Sequence, residues 1–386
     1  MKTPYFLIHQ DILEKNIKDF RSALDEIWPN SSLAYSVKTN SLPWLLKHLR
    51  SNGILAEVVS DEEYDLARLC GYSDLQIIFN GPIKGEKHFR EATDNDAIIN
   101  LDSKQDLDYV SQFAKAEMRV GIRVNIPASR FSPEDIGYEE DGFRFGFSEE
   151  NGEFKRALEI VERNVPNAKI GLHLHCNSIT RSVEVYREIA KYAASLISKY
   201  RLSLDFIDMG GGYFGGVEGK PTPKHYISAI RDELTDVVDQ SKTKLIVEPG
   251  SAIIGSAVDL YTSVLDVKDT SMARIVTTDG SRIHIDPLWT KSRYMYNIES
   301  RLNEVVHRQI ICGYTCMDHD RIMVLENQPE LSIGDRIIYK RVGAYTMTFG
   351  GMFIRYYPEV YVHAENCFER VRKTIDSYEY YSIHTL

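Results

Sequence analysis

The chain has 386 residues, 43% apolar and 26% charged, with a formal net charge of −10 and no long block of one sign. That length favours two domains, and the acidic, mixed charge argues against nucleic acid or an anionic membrane as partner. No apolar run reaches the ~18 residues needed to cross a bilayer. The five cysteines (Cys70, Cys176, Cys312, Cys316 and Cys367) are scattered and odd in number, which predicts a reducing, cytoplasmic setting rather than a disulfide scaffold.

The N-terminus reads as a short strand, Tyr5 to Ile8, followed by charge, without the basic start and apolar stretch of a signal peptide. Eight short runs rich in Val, Ile and Leu follow: 33–38, 55–60, 76–80, 97–101, 119–124, 170–175, 206–210 and 245–248. Between them, stretches such as 61–69, 102–113, 152–164 and 181–199 repeat their apolar residues every three or four positions, the helical period. Alternating strands and helices predict a parallel sheet, and eight such units predict an α/β fold closed as a (β/α)8 TIM barrel. From Tyr261 onward the texture changes to strand-like runs at 263–267, 274–277, 308–311, 321–325, 335–339 and 359–363. This predicts a separate β-rich domain, a sandwich or barrel. The expected division is a barrel over 26–252 and a β domain made of 1–25 with 253–386.

The apolar runs end at Lys38, Glu57, Asn80, Asp102, Arg123, His175, Gly210–Gly212 and Glu248. In such a barrel the strand ends converge on one mouth, so these side chains would ring a single pocket. A lysine at the end of an apolar strand is partly desolvated, which favours the nucleophilic free amine; alternatively it snorkels to the surface. Glu248 could hold a heterocycle's nitrogen protonated, or cap the following turn. The glycine run would let backbone N–H groups approach a phosphate, although glycine runs are common in loops. The flat ring of His175 could stack on a planar cofactor, or be a hydrogen-bonded core histidine. His173 and His175 on one strand also admit a metal-dependent hydrolase, but no bridging ligand set is evident and no metal is expected.

Several segments together resemble the fold-type III decarboxylases, the ornithine and diaminopimelate decarboxylase family. They are Tyr35–Asn40, Glu57–Ser60, Arg123, Phe143–Gly146, His175–Ser178, Asp208–Gly212, Glu248–Gly250, Gly313–Cys316 and Gly343–Thr346. The resemblance implies pyridoxal 5′-phosphate as cofactor and loss of a carboxyl group from an amino acid with a polar or charged tail. It implies that Lys38 carries the cofactor covalently, Glu248 pairs with the pyridine nitrogen, His175 stacks on the ring and Glu57 supports its edge. Arg123, Ser178, Gly211, Gly212, Gly250 and Tyr345 would complete the cofactor site. Cys316 would be the proton donor, arriving from the second subunit of a homodimer with shared sites. Arg144 and Asp320 would form an ion pair between the subunits.

Departures from the pattern concern the phosphate and the substrate tail. Ser251 replaces an arginine, and Met317 replaces an acid that reads a distal amine. Asp286 replaces the arginine that meets a distal carboxylate. Asp279, Asp286, Met317 and Asp318 are therefore the expected substrate contacts, and diaminopimelate and ornithine are doubtful substrates. A racemase on the same scaffold and a non-catalytic, cofactor-binding regulator are the alternatives. Glu248, where racemases prefer arginine, favours the decarboxylase.

Overall fold

The computed structural model describes residues 1–137 and 141–385. The chain divides into two compact units, Asn16–Ile253 and Met1–Lys15 with Ile254–Leu386.

The first unit is a closed barrel of eight parallel strands: Ser31–Ser36, Leu55–Val58, Ile77–Phe79, Ile98–Leu101, Arg119–Asn125, Lys169–His173, Phe206–Asp208 and Lys244–Val247. Closure is made by the last strand pairing with the first, Leu245 opposite Ser31 through Val247 opposite Leu33. The strands are short and buried on both faces because helices cover the outside, so they read as apolar runs rather than alternating ones. Ala34, Ile78, Ile98, Phe206 and Ile246 form one buried cluster. Two glycines make the room for larger side chains: a Cβ at Gly171 would lie 2.3 Å from the Phe206 ring, and one at Gly121 would lie 1.8 Å from Asn100 Oδ1. Helix starts follow local chemistry. Ser60 accepts from Glu63 N at 3.2 Å to cap Asp61–Leu69, and Ser103 accepts from Asp106 N at 3.2 Å to cap Lys104–Phe113.

The second unit is a largely antiparallel sheet. Its order runs Arg321–Pro329, Val305–Cys312, Arg274–Thr278, Val258–Asp269, Tyr5–His9, Glu359–Ala364 and Cys367–Arg372, and Arg336–Lys340 links Val258–Asp269 to Met295–Glu299. The N-terminal strand sits inside this sheet, antiparallel to Val258–Asp269 and parallel to Glu359–Ala364. The division of the chain falls at 15/16, within the helix Gln10–Ile27, ten residues before the boundary expected from sequence. The later turns of that helix pack with the barrel: the Phe20 ring lies 5.8 Å from Tyr213, and the indole of Trp28, just beyond it, donates to Thr243 O at 3.0 Å. No helix among the described residues is long and apolar enough to cross a membrane.

Candidate active site

Lys38 sits in the single 3-10 turn Val37–Thr39 that follows the first barrel strand. Its Nζ donates to both oxygens of Glu57, at 3.2 and 3.0 Å. Glu57 is buried on the second strand, and the amide of Asn80, from the end of the third, donates to Glu57 Oε1 at 3.1 Å and to Glu248 Oε1 at 2.8 Å. The ladder continues: Asn100 Nδ2 donates to Asn80 Oδ1 at 2.7 Å and to Asp208 Oδ2 at 3.0 Å. The lysine and the acid expected to hold opposite ends of one cofactor are thus joined by a single buried chain of hydrogen bonds.

The electrostatics of this chain are distinctive. Burial, followed by the neighbouring carboxylates of Asp208 and Glu57, pushes Glu248 well above the usual carboxylate range, with Lys38 opposing. Asp208 is raised to about 6, chiefly by burial. Burial also lowers His175 to about 3, assisted by the charges of Arg123 and Lys38, so its ring is neutral at working pH. Glu63 is raised to about 7 by burial, while its carboxylate accepts from Val59 N at 2.9 Å.

Arg123 pairs with Asp102 at 2.6 Å, and Asp102 also accepts from Gly146 N at 2.6 Å. The guanidinium of Arg123 lies 4.4 Å from the Phe145 ring centre and that of exposed Arg144 lies 4.3 Å from it. Asn125 Nδ2 donates to Phe143 O and Phe145 O at 2.6 and 2.7 Å, pinning this loop to its strand. Ser178 Oγ accepts from Arg181 N at 3.0 Å. Gly210–Gly212 follows the seventh strand as an open backbone cradle: a Cβ on Gly211 would lie 2.5 Å from Glu248 O, and one on Gly212 2.8 Å from Tyr186 Oη. Gly210 and Gly212 have φ of +60° and +93°, which favours glycine. Gly250 is equally tight, since a Cβ there would lie 2.0 Å from Thr39 Oγ1. Ser251 opens the short helix Ser251–Ile254.

Three further positions belong to this site: Asn80, expected only as one of the strand-end side chains, His173, expected only with His175 in a metal-site alternative, and Asn100, not singled out in the sequence. His173, Asp208 and Glu248 bring one ligand-type atom each within 4.8 Å of one another, and all three are buried. His175 is not part of this group. Both oxygen-bearing members accept amide hydrogen bonds, Glu248 from Asn80 and Asp208 from Asn100. Asn80 and Asn100 had a signal in the sequence, since each closes or interrupts an apolar run (Ile77-Ile78-Phe79-Asn80 and Ile98-Ile99-Asn100) at a buried position.

In the β unit, Cys316 is exposed on the loop after Val305–Cys312, with Met317 partly and Asp318 fully open to solvent. Tyr345, at φ +56°, lies 6.2 Å from Phe349 ring to ring. Three acids differ from expectation. Asp286 is 2% exposed and holds its own loop, accepting from Arg282 Nη2 at 2.9 Å, Lys291 N at 2.9 Å, Thr290 N at 3.1 Å and Tyr294 Oη at 3.1 Å. The carboxylate pairs with the arginine four residues earlier. Asp279 is likewise buried and accepts from Ser263 N at 2.7 Å. Asp320, expected to face Arg144 across subunits, is buried in its own unit. It accepts from Ser281 Oγ at 2.9 Å, Arg282 N at 3.0 Å and Thr315 Oγ1 at 2.7 Å. These three carboxylates are occupied structural ties.

The donor set suits pyridoxal phosphate: an amine paired with a buried acid, a second buried acid at the other end of the ladder, a neutral imidazole and a side-chain-free backbone cradle. Such a barrel with this donor set fits the class of enzymes that work through that cofactor. Residues 10–255 match the family described as pyridoxal-dependent decarboxylase, pyridoxal binding domain. The chain belongs to this family and is a pyridoxal-phosphate-dependent decarboxylase acting on amino acids. It is 25% identical to a diaminopimelate decarboxylase of Aquifex aeolicus, over 98% of this chain and 90% of that one. It is 27% identical to a diaminopimelate decarboxylase of Archaeoglobus fulgidus, over 91% and 85%. A crystal structure of diaminopimelate decarboxylase from M. jannaschii in co-complex with L-lysine superposes with a TM-score of 0.86, covering 100% of this chain and 92% of that one at 20% identity.

Proposed function

We propose that Lys38 carries the cofactor covalently and that the substrate is an amino acid whose tail ends in an amine or another polar group, rather than in a carboxylate. The observation that carries the cofactor assignment is the buried line Lys38–Glu57–Asn80–Glu248. When bound, pyridoxal phosphate supplies a sink for the electron pair left as carbon dioxide departs. The protein's part is to bind and orient. Glu57 holds the Lys38 amine, and Glu248 would pair with the pyridine nitrogen. The neutral ring of His175 offers a flat surface. By likeness to the family, the Gly210–Gly212 backbone, Ser178 and Gly250 would bind the phosphate, with Ser251 in place of an arginine and Tyr345 as a further contact.

Cys316 is read as the acid that returns a proton to the reacting carbon, since a thiol can serve as a general acid and this one is exposed. By likeness to the family it would act from a second copy of the chain, in a head-to-tail homodimer. The tail assignment rests on position 286. An arginine there would meet a distal carboxylate, whereas Asp286 is acidic and consumed by its own loop. Met317 and Asp318 remain as candidate tail contacts.

The test is turnover in heavy water of the cofactor-loaded protein against L- and D-amino acids, diaminopimelate and carboxylated polyamines, read by mass spectrometry. Loss of carbon dioxide with one deuterium gained, fastest on an amine-tailed or amide-tailed substrate, is expected. Diaminopimelate as the best substrate would contradict the tail assignment. Deuterium exchange with the carboxyl group retained would reveal a racemase.

A further inference from the structure

The ladder beneath the cofactor site does more than space Glu248. Asp208 and Glu248 come from neighbouring strands, both side chains are buried, and with His173 their ligand-type atoms lie within 4.8 Å. Each carboxylate has one amide donor, Asn100 for Asp208 at 3.0 Å and Asn80 for Glu248 at 2.8 Å, and Asp208 also accepts from Gly210 N at 3.0 Å. Two carboxylates this close cannot both ionise without a compensating cation. The cation that reaches Glu248 is Lys38, and its amine is hydrogen-bonded to both oxygens of Glu57. Glu57 is a third acid, its charge matched by Lys38; Tyr213 is buried and has its phenol raised well above its usual range. His173 lies 3.8 Å from Glu248, and neither of its ring nitrogens has a hydrogen-bond partner among the described residues. Burial, with the charges of Arg123 and Lys38, keeps that imidazole neutral. The cluster is therefore one cation short, with its open side at the carboxylate assigned to the pyridine nitrogen.

We propose that Asp208 is a positioning residue whose buried negative charge, acting through Glu248, keeps the proton on the cofactor's pyridine nitrogen. In the cofactor-free protein the pair Asp208–Glu248 shares one proton. With the cofactor seated, that proton lies between Glu248 Oε and the ring nitrogen, and both carboxylates are ionised against the single positive charge of the ring. No proton is gained or lost in the exchange. Removing the Asp208 charge weakens the hold on the ring proton, so the ring is neutralised at lower pH and the electron sink is lost on the alkaline side. This inference rests on the proposed placement of the ring nitrogen at Glu248.

The experiment compares the parent, Asp208→Asn and Asp208→Glu, each loaded with pyridoxal phosphate, by cofactor absorbance and by kcat and KM from about pH 6 to about pH 9. For Asp208→Asn the alkaline midpoint of both absorbance and kcat moves down by about one pH unit. Its kcat falls about tenfold at about pH 8.5 but stays within about twofold of the parent at about pH 6.5, with KM unchanged. Asp208→Glu restores the parent midpoint. An unmoved midpoint in Asp208→Asn, or an equal loss at every pH, overturns the inference. A parent that binds no pyridoxal phosphate overturns the placement on which it rests. Should Asp208→Asn fail to fold, infrared spectroscopy of the parent decides. One buried carboxylic acid at pH near neutral that ionises when the cofactor binds supports the shared proton, and its absence overturns it.

Discussion

Replacing Lys38 by alanine removes the amine that Glu57 holds, and the protein is expected to lose covalent cofactor and at least about a thousandfold in kcat. Absorbance of the loaded variant and turnover check both. Cys316→Ala is expected to fold normally, since the thiol is exposed, and to lower kcat about a hundredfold, the usual worth of a positioned acid. Asp286→Ala is different. It strips a buried carboxylate from Arg282 and two backbone N–H groups, at a cost of about 2–4 kcal/mol in denaturant unfolding. Altered substrate choice with unaltered stability would return Asp286 to the pocket. At this scale the sequence displayed Lys38, Glu57, His175 and Glu248, because each ends an apolar run. Roles for Asn80 and Asn100 were not legible, since their meaning lies in partners 168 and 108 residues away, Glu248 and Asp208. Asp279 and Asp286 read as pocket acids, and Asp320 as half of an ion pair between subunits, because sequence shows a charge's position but not the local donors around it.

Among the elements, the barrel strands and the helices between them were readable from period and from the apolar runs, with ends shifted by a residue or two. Lys38 falls in the turn after its strand rather than on it. Two strands of the β unit, Met295–Glu299 and Cys367–Arg372, gave little signal. They carry polar or charged residues on their exposed faces, so no apolar run marks them. The helix Ser377–His384 was equally silent, as none of its residues is buried and no apolar stripe forms. The glycine cradle is one of the tight elements. Gly211→Ala places a methyl 2.5 Å from Glu248 O, and an overpacking cost of about 1–3 kcal/mol is expected. Cofactor affinity should fall with it, because the cradle and Glu248 would move together. A variant as stable as the parent, with unchanged affinity, would show that the cradle has slack.

The molecule as a whole carries opposing proton linkages. In the β unit His284 is buried and its pKa is lowered to about 4, first by burial, while Asp320 opposes. A histidine with an ordinary unfolded value near 6.5 then gains a proton in the unfolded state before the folded one. Stability from this group is complete above about pH 6.5 and is lost as pH falls toward 4, by about 3 kcal/mol in all. Glu63 and Asp208 in the barrel, raised to about 7 and about 6, act in the opposite sense. His173 and His175 in the barrel act in the same sense as His284. Acidification from about pH 6.5 toward 4 is expected to weaken the β unit, and His284→Gln to flatten that slope; chemical denaturation at several pH values checks this. The barrel and added β unit were expected from the switch in pattern near Tyr261. The exact division within the helix Gln10–Ile27 was not, because a continuous helical period does not show which partner each turn packs on.

One lysine, Lys38 in the turn after the first barrel strand, is expected to hold the cofactor. Borohydride reduction of the loaded protein, followed by peptide mapping, tests this directly. Pyridoxyl mass on the peptide containing Lys38, and its loss in Lys38→Ala, is the expected result. The same mass on another lysine, such as buried Lys84, or on none, would contradict it.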